Sequence, residues 1–300
     1  MRKGLLLLIL TPLFCVLLIL FGTQRQVPSV GPIPPLVNPP VLPTPQKPRP
    51  GSQVEWFDFQ PLKNLSDPTW GKVLTDIENH LPESMGTRYR FSDKNTWAHE
   101  TTHGIHSHLN NTQNQMGEYT YYCLYPGNNR AVKVKQPNVR IADIARMVPD
   151  SLKKSRFHLY LVQQRHDWDR QPIYLWDEWV AYCNGADCGI ELMNKGTYKP
   201  GKNDSGWSVL EFSVYATYVA IAQKKHDPNY DNKQLLEFLA WNLERSMYLY
   251  KAGQKLDDYN WDNDQYLQHL RTSPDAAEFR GFLIDTYGAD WVNQVFGFHR

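Results

Sequence analysis

From residue 70 onward, apolar positions recur mostly with a helical period. Trp70, Val73, Leu74, Ile77 and Leu81 fall three and four residues apart, which predicts a helix over 70–81. Pro82 to Gly86 reads as a turn. Ser92 or Asp93 can cap a second helix running to about Asn111. Its core face is Trp97, Thr101, Ile105 and Leu109, spaced by four. Residues 119–125 and 131–134 flank Pro126-Gly127-Asn128-Asn129, the pattern of a β-hairpin. A short helix over 141–147 stops at Pro149, and 157–162 fits a strand or a helix. Pro172 suits the first position of a further helix, and Asn184-Gly185 suits its end. Residues 207–224 and 233–251 read as long amphipathic helices. Their core positions include Leu210, Val214, Tyr218 and Leu235, Leu239, Leu243. Ser273-Pro274-Asp275 opens a helix ending near Gly288, and 290–296 forms a last one. The expected class is α+β, predominantly helical, with a small antiparallel β part and no internal repeat.

The first 50 residues follow other rules. Residues 5–22 are an apolar run without a charge, preceded by Arg2 and Lys3. Its length is at the short end for a bilayer span and long for a signal-peptide core. No small-residue cleavage site follows it. We expect a transmembrane anchor, with a cleaved signal peptide as the alternative. The two cations place residues 1–4 in the cytoplasm and the remainder outside. Ten of the 24 residues from 27 to 50 are Pro, which forbids a helix or sheet interior. Residues 23–50 therefore read as an extended linker. Residues 51–300 have the size of one domain.

Lys and Arg total 32 against 31 Asp and Glu, a net charge of +1. This argues against a general nucleic-acid binder. Cys123, Cys183 and Cys188 lie beyond the apolar run. Cys183 and Cys188 enclose a turn-like Asn184-Gly185-Ala186-Asp187, so they are the expected disulfide pair of an exported domain, with Cys123 free. Asn64, Asn110 and Asn203 match the glycosylation pattern.

The helix from residue 92 carries His99-Glu100-Thr101-Thr102-His103. Positions 99 and 103 lie one turn apart on one face, so two imidazoles can hold one zinc ion, and Glu100 can reach a water there. This is the HExxH arrangement of zinc hydrolases. His106 shares that face and reads as a rim or supporting residue. His108 reads as a solvated one. The hairpin offers an extended peptide a possible strand edge.

A third ligand must come from elsewhere. Leu175-Trp176-Asp177-Glu178-Trp179-Val180-Ala181-Tyr182 resembles the ligand helix of the gluzincins, the HExxH…E zinc metallopeptidases. The resemblance implies a zincin-like domain in which His99, His103 and Glu178 hold Zn2+ and Glu100 is the general base. The substrate would be a peptide or protein. The 74 residues between His103 and Glu178 exceed the interval in many gluzincins. Tyr174 and Tyr182, four residues either side of Glu178, are candidates for stabilising the oxyanion. Asp177 can orient a ligand or be solvated. The alternatives are an exported, non-catalytic metal-binding scaffold and a zinc amidase acting on cell-wall material.

Overall fold

The computed structural model describes residues 55–91, 93–114, 120–199, 205–256 and 264–298. The apolar run, the Pro-rich linker, Ser92 and Asn203 lie outside them. Among the described residues, no helix is long and apolar enough to cross a membrane.

Three strands, β1 (Glu55–Asp58), β2 (Tyr121–Gly127) and β3 (Arg130–Lys135), form an antiparallel sheet in the order β1-β3-β2. The hairpin turns at Asn128 and Asn129, both with φ near +60°. That geometry suits the tight two-residue turn that Asn tolerates. The strands thus extend further into Pro126-Gly127 than the sequence pattern implies. Trp56 and Phe57 lie in β1, the strand that completes the sheet.

Side chains alternate across this sheet and divide the interior. Tyr122, Leu124, Val132 and Val134 join the larger apolar core, whereas Cys123, Tyr125 and Ala131 join a smaller one with Trp70, Leu74, Ile77 and Trp97. Helices α1 (Gly71–His80) and α2 (Lys94–Gln113) line the smaller core. Asp93 caps α2, its carboxylate accepting from the backbone N–H of Asn95 and Thr96. The N-terminus of α1 has no local side-chain cap. Glu191 supplies one from a distant helix, accepting from the N–H groups of Lys72 and Val73 at 2.9 Å.

The larger core is built by α3 (Ile141–Met147), α4 (Ser155–Phe157), α5 (Arg165–Trp168), α6 (Tyr174–Asn194), α7 (Ser205–His226), α8 (Lys233–Gly253), α9 (Asp264–Thr272), α10 (Ala277–Tyr287) and α11 (Ala289–Phe296). Helix α6 packs on both α2 and α7, and α7 on α8. Three expectations change here. Helix α6 runs through Asn184-Gly185 to Asn194, because both residues are buried in a helix–helix contact. Cys183 and Cys188 therefore sit in one helix, and Cys123, Cys183 and Cys188 are all free and buried. A five-residue helical step turns their side chains about 140° apart, which rules out the disulfide. Helix α7 is buried almost all round and is central rather than amphipathic.

Residues 157–162 are helical. After α4, His158–Gln163 form a π-helix, with Gln164 N–H donating to the Leu159 carbonyl at 2.9 Å. A π turn closes over five residues, so it matches neither the strand nor the α period. Glu211 of α7 fixes the start of this segment. It accepts from the N–H groups of Arg156 at 2.8 Å and Phe157 at 3.2 Å.

Candidate metal centre

Helices α2 and α6 cross closely because Gly185 lacks a side chain. A Cβ there would lie 2.9 Å from the Asn95 carbonyl oxygen and 3.4 Å from His99 Cβ. About two turns nearer the start of α6, the same helix pair places Glu178 against His99 and His103. The His99 and His103 Nε2 atoms are 3.0 Å apart. Glu178 Oε2 lies 3.6 Å from the first and 3.4 Å from the second.

Ligands 2.0–2.1 Å from a tetrahedral ion sit about 3.3 Å from one another. The three observed edges bracket that value. Glu178 Oε2 is also buried without a hydrogen bond, a costly state that a cation between the three atoms would relieve. These residues fit a metal ion, and they form a group whose ligand atoms converge. His103 is 25% exposed, against 12% for His99 and 7% for Glu178. The group is thus most exposed at His103, the side from which a fourth ligand would enter.

Supporting residues fix each ligand. His103 Nδ1 donates to Asp177 Oδ1, which turns Nε2 toward the centre. Tyr122 O–H donates to Asp177 Oδ2 at 2.7 Å, and His106 Nδ1 lies 3.1 Å from the same oxygen. Burial raises the Asp177 carboxyl, but His106 and His103 outweigh it and hold it well below the usual carboxylate range. Burial and its neighbour His103 push His99 well down, so it stays neutral. Burial also lowers His103, but Glu178 and Asp177 overcome it and raise the imidazole well above its ordinary value. Two buried carboxylates thus draw positive charge to this point, and a divalent ion would balance both.

Tyr174 O–H donates to Glu178 Oε1 at 2.7 Å, which aims the other oxygen at the histidines. Its ring stacks on Trp168, with centroids 4.4 Å apart. The ring of Tyr182 packs edge-on against His99 at 4.4 Å, and its hydroxyl lies 3.1 Å from that of Tyr160. Burial raises Tyr160, Tyr174 and Tyr182, with Glu178 adding to the effect, so all three remain phenols. Glu100 is half-buried on α2 beside His99.

Five of the six expected site residues, His99, His103, Glu178, Tyr174 and Tyr182, thus meet at one centre, and Glu100 follows His99 on α2. Asp177, left open between two roles, is buried and orients His103. His106 is not on the rim: it is 1% exposed and faces Asp177. His108 is partly buried, its ring 6.2 Å from Phe59. Tyr122 and Tyr160 are additions. The first stands on β2, where period-two alternation shows only a face. The second stands on the π-helix, where neither period applies.

The second metal-capable group, His103, His106 and Asp177, shares a histidine with the first. Its carboxylate is already engaged by His103 and Tyr122, so it acts as the support for the first. The edge of β2 is closed as well. Asn110 accepts from Cys123 N–H at 2.9 Å and donates to its carbonyl at 3.2 Å, while Asn184 donates to the Tyr125 carbonyl at 3.0 Å. These three backbone groups of β2 are not offered to a peptide strand, and the Asn110 side chain is engaged in this contact rather than free for a glycan. No family model, curated protein or solved structure matches the chain, so its functional reading rests on the geometry of this centre.

Proposed function

We propose that the chain is a zinc-dependent hydrolase of peptide bonds, of the HExxH…E class, acting outside the cytoplasm. The observation that carries the reading is the triangle of His99, His103 and Glu178, with an unpartnered carboxylate oxygen facing two imidazoles. Structural zinc sites are usually closed by four ligands and rich in Cys. Here three ligands converge from an open side, and the three described cysteines are buried elsewhere. That favours a catalytic centre over a scaffold.

His99 Nε2, His103 Nε2 and Glu178 Oε2 would hold the ion. When bound, zinc supplies a Lewis acid that acidifies water and polarises a carbonyl. Asp177 keeps the proton of His103 on Nδ1. Tyr174 holds Glu178 by its other oxygen. Glu100 accepts the proton of the attacking water and returns it to the leaving amine. Tyr182 and Tyr160 share one hydroxyl proton between them, which leaves the other for the developing oxyanion.

The test is metal analysis of the full-length chain together with hydrolysis of a peptide library. About one zinc per chain is expected, lost or weakened in His103→Ala and Glu178→Ala. Glu100→Gln should keep the zinc and lose about 10²–10⁴-fold in rate. Wild-type rates in Glu100→Gln would sink the mechanism. Unchanged metal content in both ligand variants would sink the site.

A further inference from the structure

The segment from Lys153 to Arg170 forms one wall beside the centre. Two contacts tie it there. The Tyr160 hydroxyl meets that of Tyr182, and the Gln164 side chain lies 2.9 Å from the Tyr174 hydroxyl. The segment holds five Lys and Arg against two Asp, a net +3 in a chain whose total is +1. The wall is thus locally basic in a chain that is close to neutral.

The two carboxylates of the segment do not cancel it. Asp169 accepts from Ala142 N–H at 2.9 Å, at the start of α3, and pairs with Arg140 at 3.8 Å. Asp167 lies 3.2 Å from His166 Nε2. Among the cations, Lys153 Nζ donates to Asp150 at 2.6 Å. Lys154 stands over the Tyr266 ring at 5.4 Å. Arg156 is half-buried, donating through Nε to Ser208 at 3.2 Å, with its guanidinium 5.4 Å from the Tyr182 ring. Arg165 and Arg170 are exposed and have no partner among the described residues. Arg165 directly follows Gln164, the residue that touches Tyr174.

We infer that this wall selects substrates carrying a carboxylate close to the scissile bond, with Arg165 as the specificity-determining residue and Arg156 supporting the field. The inference rests on the proposed hydrolase reading and names its substrate class. A guanidinium binds a carboxylate through paired N–H donors. One extended residue spans about 3.3–3.6 Å. Arg165 follows the residue whose side chain touches Tyr174, the tyrosine that holds Glu178, so its guanidinium would meet groups only a few residues from the cleaved amide. The carboxylate can be an Asp or Glu side chain or the free end of the peptide.

The experiment measures peptide binding to the zinc-supplied, full-length Glu100→Gln protein, where no turnover intervenes. Matched peptides differ in acid against amide, once at side chains within two residues of the central bond and once at the C-terminus. We expect the acid form to bind about tenfold more tightly at low salt and to lose most of that advantage at high salt. The arm that shows the difference identifies the source of the carboxylate. Arg165→Gln should remove the preference, and Arg165→Glu should reverse it. Equal binding of acid and amide peptides overturns the inference. So does no peptide binding, or a preference that survives Arg165→Glu. A wall that binds phosphatidylserine vesicles through Arg165 without any peptide preference overturns it as well. If the acid preference is found but the wild-type protein cleaves no peptide, the hydrolase reading fails and the anion-selective wall stands.

Discussion

Asp177 shows what a single side chain decides at this centre. It touches no ion, yet its carboxylate receives the Nδ1 proton of His103 and is itself fixed by Tyr122. Asp177→Asn keeps the shape but replaces an acceptor oxygen with either a weaker acceptor or a donor. The donor orientation would force the proton of His103 onto Nε2, where the ion must bind. We expect zinc affinity to fall about 10–100-fold with far-ultraviolet circular dichroism unchanged. Titration against a competing chelator measures it, and an unaltered affinity would remove Asp177 from the centre. The sequence shows the ligands more clearly than their supports. His99 and His103 are legible from a four-residue helical spacing, and Glu178 from its aromatic context. Asp177 is its immediate neighbour, 100° round the same helix, and spacing alone cannot tell whether that direction meets a histidine or water. Only the packing of α2 on α6 settles it.

At the scale of elements, the centre depends on how closely two helices approach. Gly185 meets the Asn95 carbonyl across the crossing, a backbone atom that cannot swing aside as a side chain can. Gly185→Ala should therefore destabilise the fold by about 1–3 kcal/mol through overpacking. It should also weaken zinc binding, because His99 Cβ is the next atom in the way. Gly281 supplies the control. It lies within α10, and a Cβ there would meet nothing within 4 Å. Gly281→Ala should stabilise by about 0.5–1 kcal/mol through helix propensity alone. Denaturant midpoints of the two variants check both signs, and a stabilising Gly185→Ala would contradict the close crossing. The same crossing explains why the end of α6 is misread. Asn184-Gly185 is a stop signal by local chemistry. Here Asn184 instead bonds Thr102 of α2 at 2.9 Å and the Tyr125 carbonyl of β2, and glycine gives α2 room. Tertiary contacts override the local signal, and the disulfide expected from a loop falls with it.

Over the whole molecule, the sheet separates two apolar cores and α6 contributes to both, with Cys188 and Leu192 in one and Trp176 and Trp179 in the other. The helical character was readable from periodicity. The division into two cores was not, because alternation names two faces without saying what covers each. A helix buried on every side must also bury its polar residues, and Asp187 is one. It pairs with Arg245 at 3.3 Å beside a cavity of about 70 Å³ lined by Asp76, Lys72 and Asn184. Burial raises its carboxyl to about 6, against the lowering pull of Arg245. Unfolded, the group ionises near 3.8. Between those values the folded chain carries a proton that the unfolded chain has released, so this group's contribution to stability falls as pH rises. The contribution is fully present below about pH 4 and absent above about pH 6, a loss of about 3 kcal/mol. Asp187→Asn cannot titrate, and at every pH it resembles the neutral acid that the folded wild type holds below about pH 6. The variant should therefore gain stability relative to wild type as pH rises from 4 to 7. Urea midpoints measured for both proteins across that range give the difference directly, and a constant gap would mean that Asp187 ionises in the folded protein as it does in the unfolded chain.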